Sequence, residues 1–275
     1  MKYILIDTSY LIFYRYFALI QWWKHAKPDI QLPTNPFECE EFVMKFRKTM
    51  KDSITNIKRK LKLNKENCYI ISARDCSRKE IWRNKFYNSY KKSREKDEQQ
   101  FMGGDFFKLV YNNNNQMLYD IGIHTVVQFN QLEADDIIAI LKNHIRNLND
   151  KTDIYIITND HDYLQLIDDN THIYNLRFQN LKENKKCFRD PEKNLFNKIV
   201  TGDKSDSISP VLKRCSVKML DYYYENKDEF HEILIKNNLL EKFNSNKKII
   251  SFHEIPHELI IQLIKENKEL FNFIV

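Results

Sequence analysis

Ile154-Tyr-Ile-Ile-Thr-Asn-Asp160-His-Asp162 is a short apolar run that ends on two acids. A wholly apolar run of this length reads as a strand buried on both faces, the kind found in parallel sheets. The pattern recurs along the chain. Tyr3–Ile6 leads into Asp7, Cys68–Ser72 into Asp75, and His124–Phe129 into Glu133, Asp135 and Asp136. His172–Leu176 reads as a fifth strand. Between these runs lie helical stretches, Tyr10 to Trp23 and Phe37–Leu63 among them, and Phe106–Tyr119 returns to helix. Ile137, Leu141, Ile145 and Leu148 mark an amphipathic helix after Glu133. The alternation predicts an α/β fold with a central, mostly parallel sheet flanked by helices. Parallel neighbours bring their carboxyl ends to one edge, where open α/β sheets carry their sites.

Two more acids, Asp203 and Asp206, follow in Gly202-Asp-Lys-Ser-Asp206. Asp190-Pro191 predicts the start of the helix before it, with a capping acid and proline in the first turn, ending at Gly202. Acids at the mouth of a helix also cap free N–H groups and offset the helix dipole. For Glu133 to Asp136 alone, capping and cation binding weigh equally. Asp160 with Asp162, and Asp203 with Asp206, repeat the arrangement. Carboxylates meeting on one edge would repel strongly without cations among them. All-oxygen donors favour hard ions, so Mg²⁺ or Mn²⁺ is expected, two ions in all. Two such ions about 4 Å apart are the usual device for in-line attack on a phosphodiester. No Ser or His nucleophile stands out, and His161, alone among the acids, lacks the company of a zinc site.

The net charge of the 275 residues is +6, and its distribution carries more than its size. Arg74–Lys96 holds nine Lys or Arg against Asp75, Glu80 and Glu95. Within it, charges and aromatics interleave, and positions 83, 87, 90, 91 and 94 share a face at helical spacing. A basic surface beside an acidic pocket suits a polyanion cut with the help of metals. A solvated lysine-rich helix is the plainer reading of the same run. Asn112–Asn115 reads as polar filler in or beside a helix. Five cysteines without CxxC spacing argue against a zinc ribbon or a disulfide scaffold, and fit a reducing compartment. No apolar run approaches a membrane span, and Asp7 and Arg15 interrupt any resemblance of the N-terminus to a signal peptide. A soluble, intracellular protein with no membrane partner is expected, with nucleus, cytoplasm and viral replication site left open.

At these residues the chain resembles the flap-endonuclease and 5′-exonuclease superfamily, which shares a PIN-like fold. The matching segments are Ile4-Leu-Ile-Asp7, Tyr90-Lys-Lys-Ser-Arg94, Leu132-Glu-Ala-Asp-Asp136, Ile157-Thr-Asn-Asp-His-Asp162 and Gly202-Asp-Lys-Ser-Asp206. Within that superfamily the Tyr-Lys-Lys-x-Arg run and an Ile255-Pro256 helix resemble those of the RNase H of T-even phages. The resemblance implies a metal-dependent, structure-selective 5′ nuclease that acts on branched or nicked DNA and RNA–DNA hybrids. It places Asp7, Asp75, Glu133, Asp135 and Asp160 around a first ion, Asp162, Asp203 and Asp206 nearer a second, and Asp136 between them. Lys91 and Arg94 would steer the scissile phosphate, acting with Asp7 and Asp160 as the catalytic set. Tyr90 would stack on a terminal base, and Arg83 and Lys92 would join the nucleic-acid surface.

The resemblance also implies a catalytic domain over residues 1–200, with an arch or gateway insert at about 74–104. A helical C-terminal region of two or three helices would follow over 201–275. The family's usual glycine-containing hairpin is replaced here by Ser207-Ile-Ser-Pro-Val211-Leu-Lys-Arg-Cys-Ser. This degenerate hairpin puts duplex gripping and K⁺ binding in doubt, and Lys213, Arg214 and Lys218 would supply charge instead. No clear clamp-binding box is evident, so a clamp or single-strand-binding partner is left open, and a monomer is expected. Three other functions compete. A non-catalytic scaffold on the same fold would be expected to have lost its acids. A haloacid-dehalogenase-type phosphatase wants an Asp where Ser9 stands. A simple PIN-type ribonuclease needs neither the basic insert nor the helical tail.

Overall fold

A computed structural model describes residues 1–94, 101–184 and 187–274. Five strands form one sheet: β1 (Lys2–Asp7), β2 (Cys68–Arg74), β3 (Thr125–Gln128), β4 (Ile154–Ile157) and β5 (Thr171–Tyr174). Their order is β3-β2-β1-β4-β5, and all four pairings are parallel. The apolar run at the N-terminus is therefore the central strand. Its register sets the site: Asp7 lies opposite Ala73 and Ile6 opposite Ile157, so three strands end level with one another.

Alternation along β1 divides the core into two faces. Tyr3 and Leu5 pack with Ile71, Val127, Ile156 and Ile173 against α4 (Ala134–Leu148). Ile4 and Ile6 pack with Ile70 and Ile157 against α1 (Thr8–Ala26), α2 (Glu40–Lys60) and α3 (Gly104–Asp120). Both faces being covered explains why the strands read as continuous apolar runs rather than as alternating ones. Asn112–Asn115 breaks α3 rather than filling it, with φ of 47°, 53° and 64° at its last three residues. Asparagine tolerates this left-handed region better than most side chains.

The predicted stop at Gly202 is observed after α5 (Pro191–Thr201), with Asp190 accepting from Glu192 N and Lys193 N. The tail then holds five helices rather than two or three: α6 (Val217–Glu225), α7 (Lys227–Lys236), α8 (Leu240–Ile250), α9 (His257–Glu266) and α10 (Lys268–Phe273). Short loops divide what reads in sequence as longer helical stretches. Leu259, Leu263, Leu270 and Phe271, from α9 and α10, return to the sheet and complete the face over Leu5. Leu195 and Ile199 of α5 pack with Ile249 and Ile250 of α8, while Phe196 and Val200 pack with Phe230 of α7. Helix α5 thus joins the acidic edge to the tail.

The shared helical face expected at positions 83 to 94 does not form. Arg78–Glu80 and Trp82–Lys85 are single 3₁₀ turns, and Lys91 takes a positive φ of 54°. The reason is tertiary: Lys91 N donates to Asp206 O at 3.0 Å, and Ser93 N to Ser207 Oγ at 3.1 Å. Those bonds hold the segment along the 203–208 loop instead of on its own helix axis. Residues 95–100 of the expected arch, Glu95 and Lys96 with them, lie outside the described residues.

Candidate metal centre

Each acid reaches the sheet edge through a local device. Asp7 caps α1, accepting from Tyr10 N at 2.9 Å. Asp75 accepts from Ala134 N at 2.8 Å and from Ser9 Oγ at 2.5 Å, which ties the end of β2 to the mouth of α4. Asp160 caps the 3₁₀ turn His161–Leu166 and so turns Asp162 inward. Asp203 and Asp206 stand on a loop closed by Asp203 N to Ile208 O and Ile208 N to Asp203 O, at 2.8 and 2.7 Å. Gly202 permits that loop: its φ is 68°, and a Cβ there would meet Ile208 O at 2.5 Å.

Two groups result. Glu133, Asp135 and Asp136 offer carboxylate oxygens within 4.8 Å of one another, and Asp162, Asp203 and Asp206 do the same. Asp7, Asp75, Asp135 and Asp160 converge on a buried phenol. The Tyr163 hydroxyl donates to Asp7 Oδ2 at 3.4 Å, and its pKa is driven well up by burial and then by those four carboxylates.

Countercharge separates the acids more sharply than sequence does. Arg83, 1% exposed, donates from Nη2 to Asp136 Oδ1 at 2.7 Å and from Nη1 to Asp136 Oδ2 at 2.8 Å. The same Nη1 reaches Glu133 Oε2 at 2.9 Å. Trp82 Nε1 adds a bond to Asp136 Oδ2 at 3.0 Å, and Tyr90 Oη one to Glu133 Oε2 at 2.9 Å. Lys91 pairs with Glu133 Oε1. Burial raises the Glu133 carboxyl, but Lys91 and Arg83 outweigh it and hold it below its ordinary range. In the second group, Arg94 pairs with Asp206 at 2.5 Å, while Lys198 contacts Asp162 and lies 2.8 Å from Asp203. Burial again opposes ionisation of Asp203, and Lys198 wins, bringing the carboxyl to about 2.

Asp7 and Asp135 are shifted the other way. Burial, then Asp75 and Asp160, raises Asp7 to about 7. Burial and Asp136 push Asp135 well above the carboxylate range. These carboxylates have acidic neighbours and too little positive charge, as expected of side chains that answer to a bound cation. Their donors are all oxygen, which fits Mg²⁺ or Mn²⁺, and His161 is exposed on the rim.

Asp7 dominates the resulting pH dependence, opposed in part by His124, which burial lowers from its ordinary value of 6.5. Between its ordinary value of 3.8 and about 7, Asp7 keeps a proton when folded that the unfolded chain releases. Its contribution to stability is lost as pH rises across that window. Glu133, lowered from 4.5, and Asp203, lowered from 3.8, lose their contributions only as pH falls below those values. Metal-free protein should therefore melt several degrees lower at about pH 8 than at about pH 5.5, and Mg²⁺ should recover the difference at the higher pH. Thermal scans with EDTA and with Mg²⁺ test this; a metal-free melting temperature that climbs with pH contradicts it.

Asp136 is 0% exposed and engaged by Arg83, Trp82 and the Glu133 N–H, while its carboxylate still belongs to the three whose oxygens could hold an ion. Two expectations change. Arg83 is enclosed among carboxylates and cannot meet a phosphate. Tyr90 is 7% exposed with its hydroxyl on Glu133, so its ring is not presented for stacking. Lys92, Lys213, Arg214 and Lys218 are exposed. Sequence reasoning missed Tyr163 and Lys198. The signal for Lys198 was its place one turn before Gly202, on the helix that carries the acidic loop.

A family described as the 5′-3′ exonuclease, N-terminal resolvase-like domain, matches residues 2–197. A 5′-3′ exonuclease of Mycoplasmopsis pulmonis is 26% identical over 253 residues, covering 90% of this chain and 74% of that protein. DNA polymerase I of Caldicellulosiruptor bescii is 31% identical over 153 residues, which is 48% of this chain and 17% of the polymerase. The flap endonuclease of bacteriophage T5, solved as a complex with DNA and metal ions, superposes with a TM-score of 0.68. That match has 15% identity and covers 99% of this chain and 100% of the phage protein, so it speaks to the fold.

Proposed function

Because this chain belongs to the 5′-3′ exonuclease family, we propose that it is a structure-selective 5′ nuclease loaded with two Mg²⁺ or Mn²⁺ ions. Its substrates on this reading are 5′ flaps, nicked duplexes and RNA primers on DNA, met in replication and repair inside the cell. Residues 1–200 form the catalytic part and 201–275 a helical region that flanks it. The observation that carries the reading is the gathering of Asp7, Asp75, Asp135 and Asp160 around Tyr163 beside a second acidic group, with Asp7 and Asp135 pushed up by burial and acidic neighbours. Those four, with Glu133, would hold the first ion, and Asp162, Asp203 and Asp206 the second. When bound, the ions activate water and stabilise the departing oxyanion.

The protein's own cations do the rest. Lys91 lies between Glu133 and Asp206; burial works against its charge, but Glu133 outweighs it and keeps the ammonium well above its ordinary range. Lys91 and Arg94 are thus held charged at the rim of the acids, ready to exchange a carboxylate for a substrate phosphate. Tyr87 Oη to Ser207 O at 3.1 Å and Arg94 Nε to Ser205 O at 3.2 Å brace that segment on the acidic loop. Exposed Lys92 extends the path for the strand, and Lys213, Arg214 and Lys218 contact duplex backbone without a glycine hairpin.

End-labelled flap, nicked, blunt and RNA–DNA hybrid substrates should give short 5′ products in Mg²⁺ and none in EDTA. Lys91→Ala should slow single turnover about a hundredfold while leaving substrate affinity within about threefold. Intact substrate in every Mg²⁺ reaction would overturn the assignment, and weakened binding with an unchanged turnover rate would overturn the role of Lys91.

A further inference from the structure

The two acidic groups are not alike in what fills them. Around Tyr163 burial comes first in raising the carboxyls of Asp7 and Asp135, followed by Asp75 and Asp160 for Asp7 and by Asp136 for Asp135. Between Asp162 and Asp203 there is already a cation, the ammonium of Lys198. Its side chain is 20% exposed, and those of Asp162 and Asp203 are 12% and 17% exposed. It arrives from α5, the helix whose end carries Asp203 and Asp206. Arg94 takes Asp206 from another direction, so two side chains already compensate part of this group's charge.

An ammonium 2.8 Å from Asp203 and a divalent ion about 2.1 Å from the same oxygens claim the same space. They also claim the same charge, since both are held by attraction to Asp162 and Asp203. Lysine carries its charge on a flexible four-carbon stem, so it can leave without disturbing the helix that bears it. What it needs on leaving is another anion, and a substrate phosphate supplies one together with fresh oxygen ligands for an incoming metal.

We propose that Lys198 is a built-in competitor for the second metal ion. It keeps that position filled until a substrate phosphate draws the ammonium away. On this inference, which rests on the two-ion reading above, the free protein takes one ion readily and the second only weakly. Full loading is thereby tied to the presence of substrate.

Calorimetric titration of metal-free protein with Mn²⁺ alone tests the idea without any cleavage assay. Wild type should show one strong and one weak step. Lys198→Met, which keeps the apolar stem, should leave the strong step within about twofold and tighten the weak step about tenfold or more. Lys198→Arg, which keeps the charge, should retain the weak step. Lys198→Gln serves as a second neutral variant should the methionine protein fail to fold. Equal second-step affinities in wild type and the neutral variants would overturn the role of Lys198 while leaving the metal centre standing. Absence of Mn²⁺ uptake by wild type and all variants would remove the metal centre and this inference together.

Discussion

Asparagine at Asp7 or Asp135 is expected to lower Mg²⁺-dependent cleavage about a thousandfold or more and, at the same time, to raise the melting temperature of the metal-free protein. The two effects share one cause. Both carboxyls are pushed up by burial and by like charges, so without an ion each works against the folded state near neutral pH. Asparagine preserves the shape and can still accept from Tyr10 N in the case of Asp7, but it removes a charge that the ions require. Sites built for binding are often locally destabilising, and such substitutions trade function for stability. Asp136→Asn should do something different, because it breaks a bidentate pair with Arg83 and lowers stability. Single-turnover cleavage and calorimetric melting in EDTA measure both quantities. Asparagine variants of Asp7 and Asp135 that melt lower than wild type would contradict this division of the acids.

The second large effect concerns Arg83. Arg83→Met leaves Glu133 and Asp136 buried with one shared partner missing, and removing one member of such a pair typically costs about 3–5 kcal/mol. The loss reaches further, because Arg83 Nε also donates to Ile249 O at 2.8 Å and so ties α8 to the acidic edge. Arg83→Lys should recover little, since an ammonium cannot reproduce a planar fork that serves two carboxylates and a carbonyl. Urea unfolding followed by far-ultraviolet circular dichroism gives the midpoint. A midpoint unchanged in Arg83→Met would mean that the guanidinium is not what compensates these acids. Replacing Arg83 and Asp136 together, by Met and Leu, should cost less than Arg83→Met alone, since the most deeply buried charge then goes with its partner.

The sheet and its acidic edge were legible because their signals are local. An apolar run followed within a few residues by an acid needs no distant partner to be read, and parallel strands must end on one edge. The stop of α5 at Gly202 was legible for the same reason, through a positive φ that glycine accepts. The segment from Arg74 to Arg94 was misread because helical spacing is only a local preference. There it is overruled by bonds to the loop around Ser207, 114 residues away. The number of tail helices was misjudged because loops that interrupt them depend on how α9 and α10 fold back to the sheet.

By itself, the order of residues determined that acids crowd the ends of parallel strands and that a cation-rich segment lies near them. What only the folded chain decided is which acids are already neutralised. Arg83 is separated from Asp136 by 53 residues, and Lys91 from Glu133 by 42. A carboxylate's charge state depends on burial and on cations within a few ångströms, and neither is encoded in its immediate neighbours along the chain.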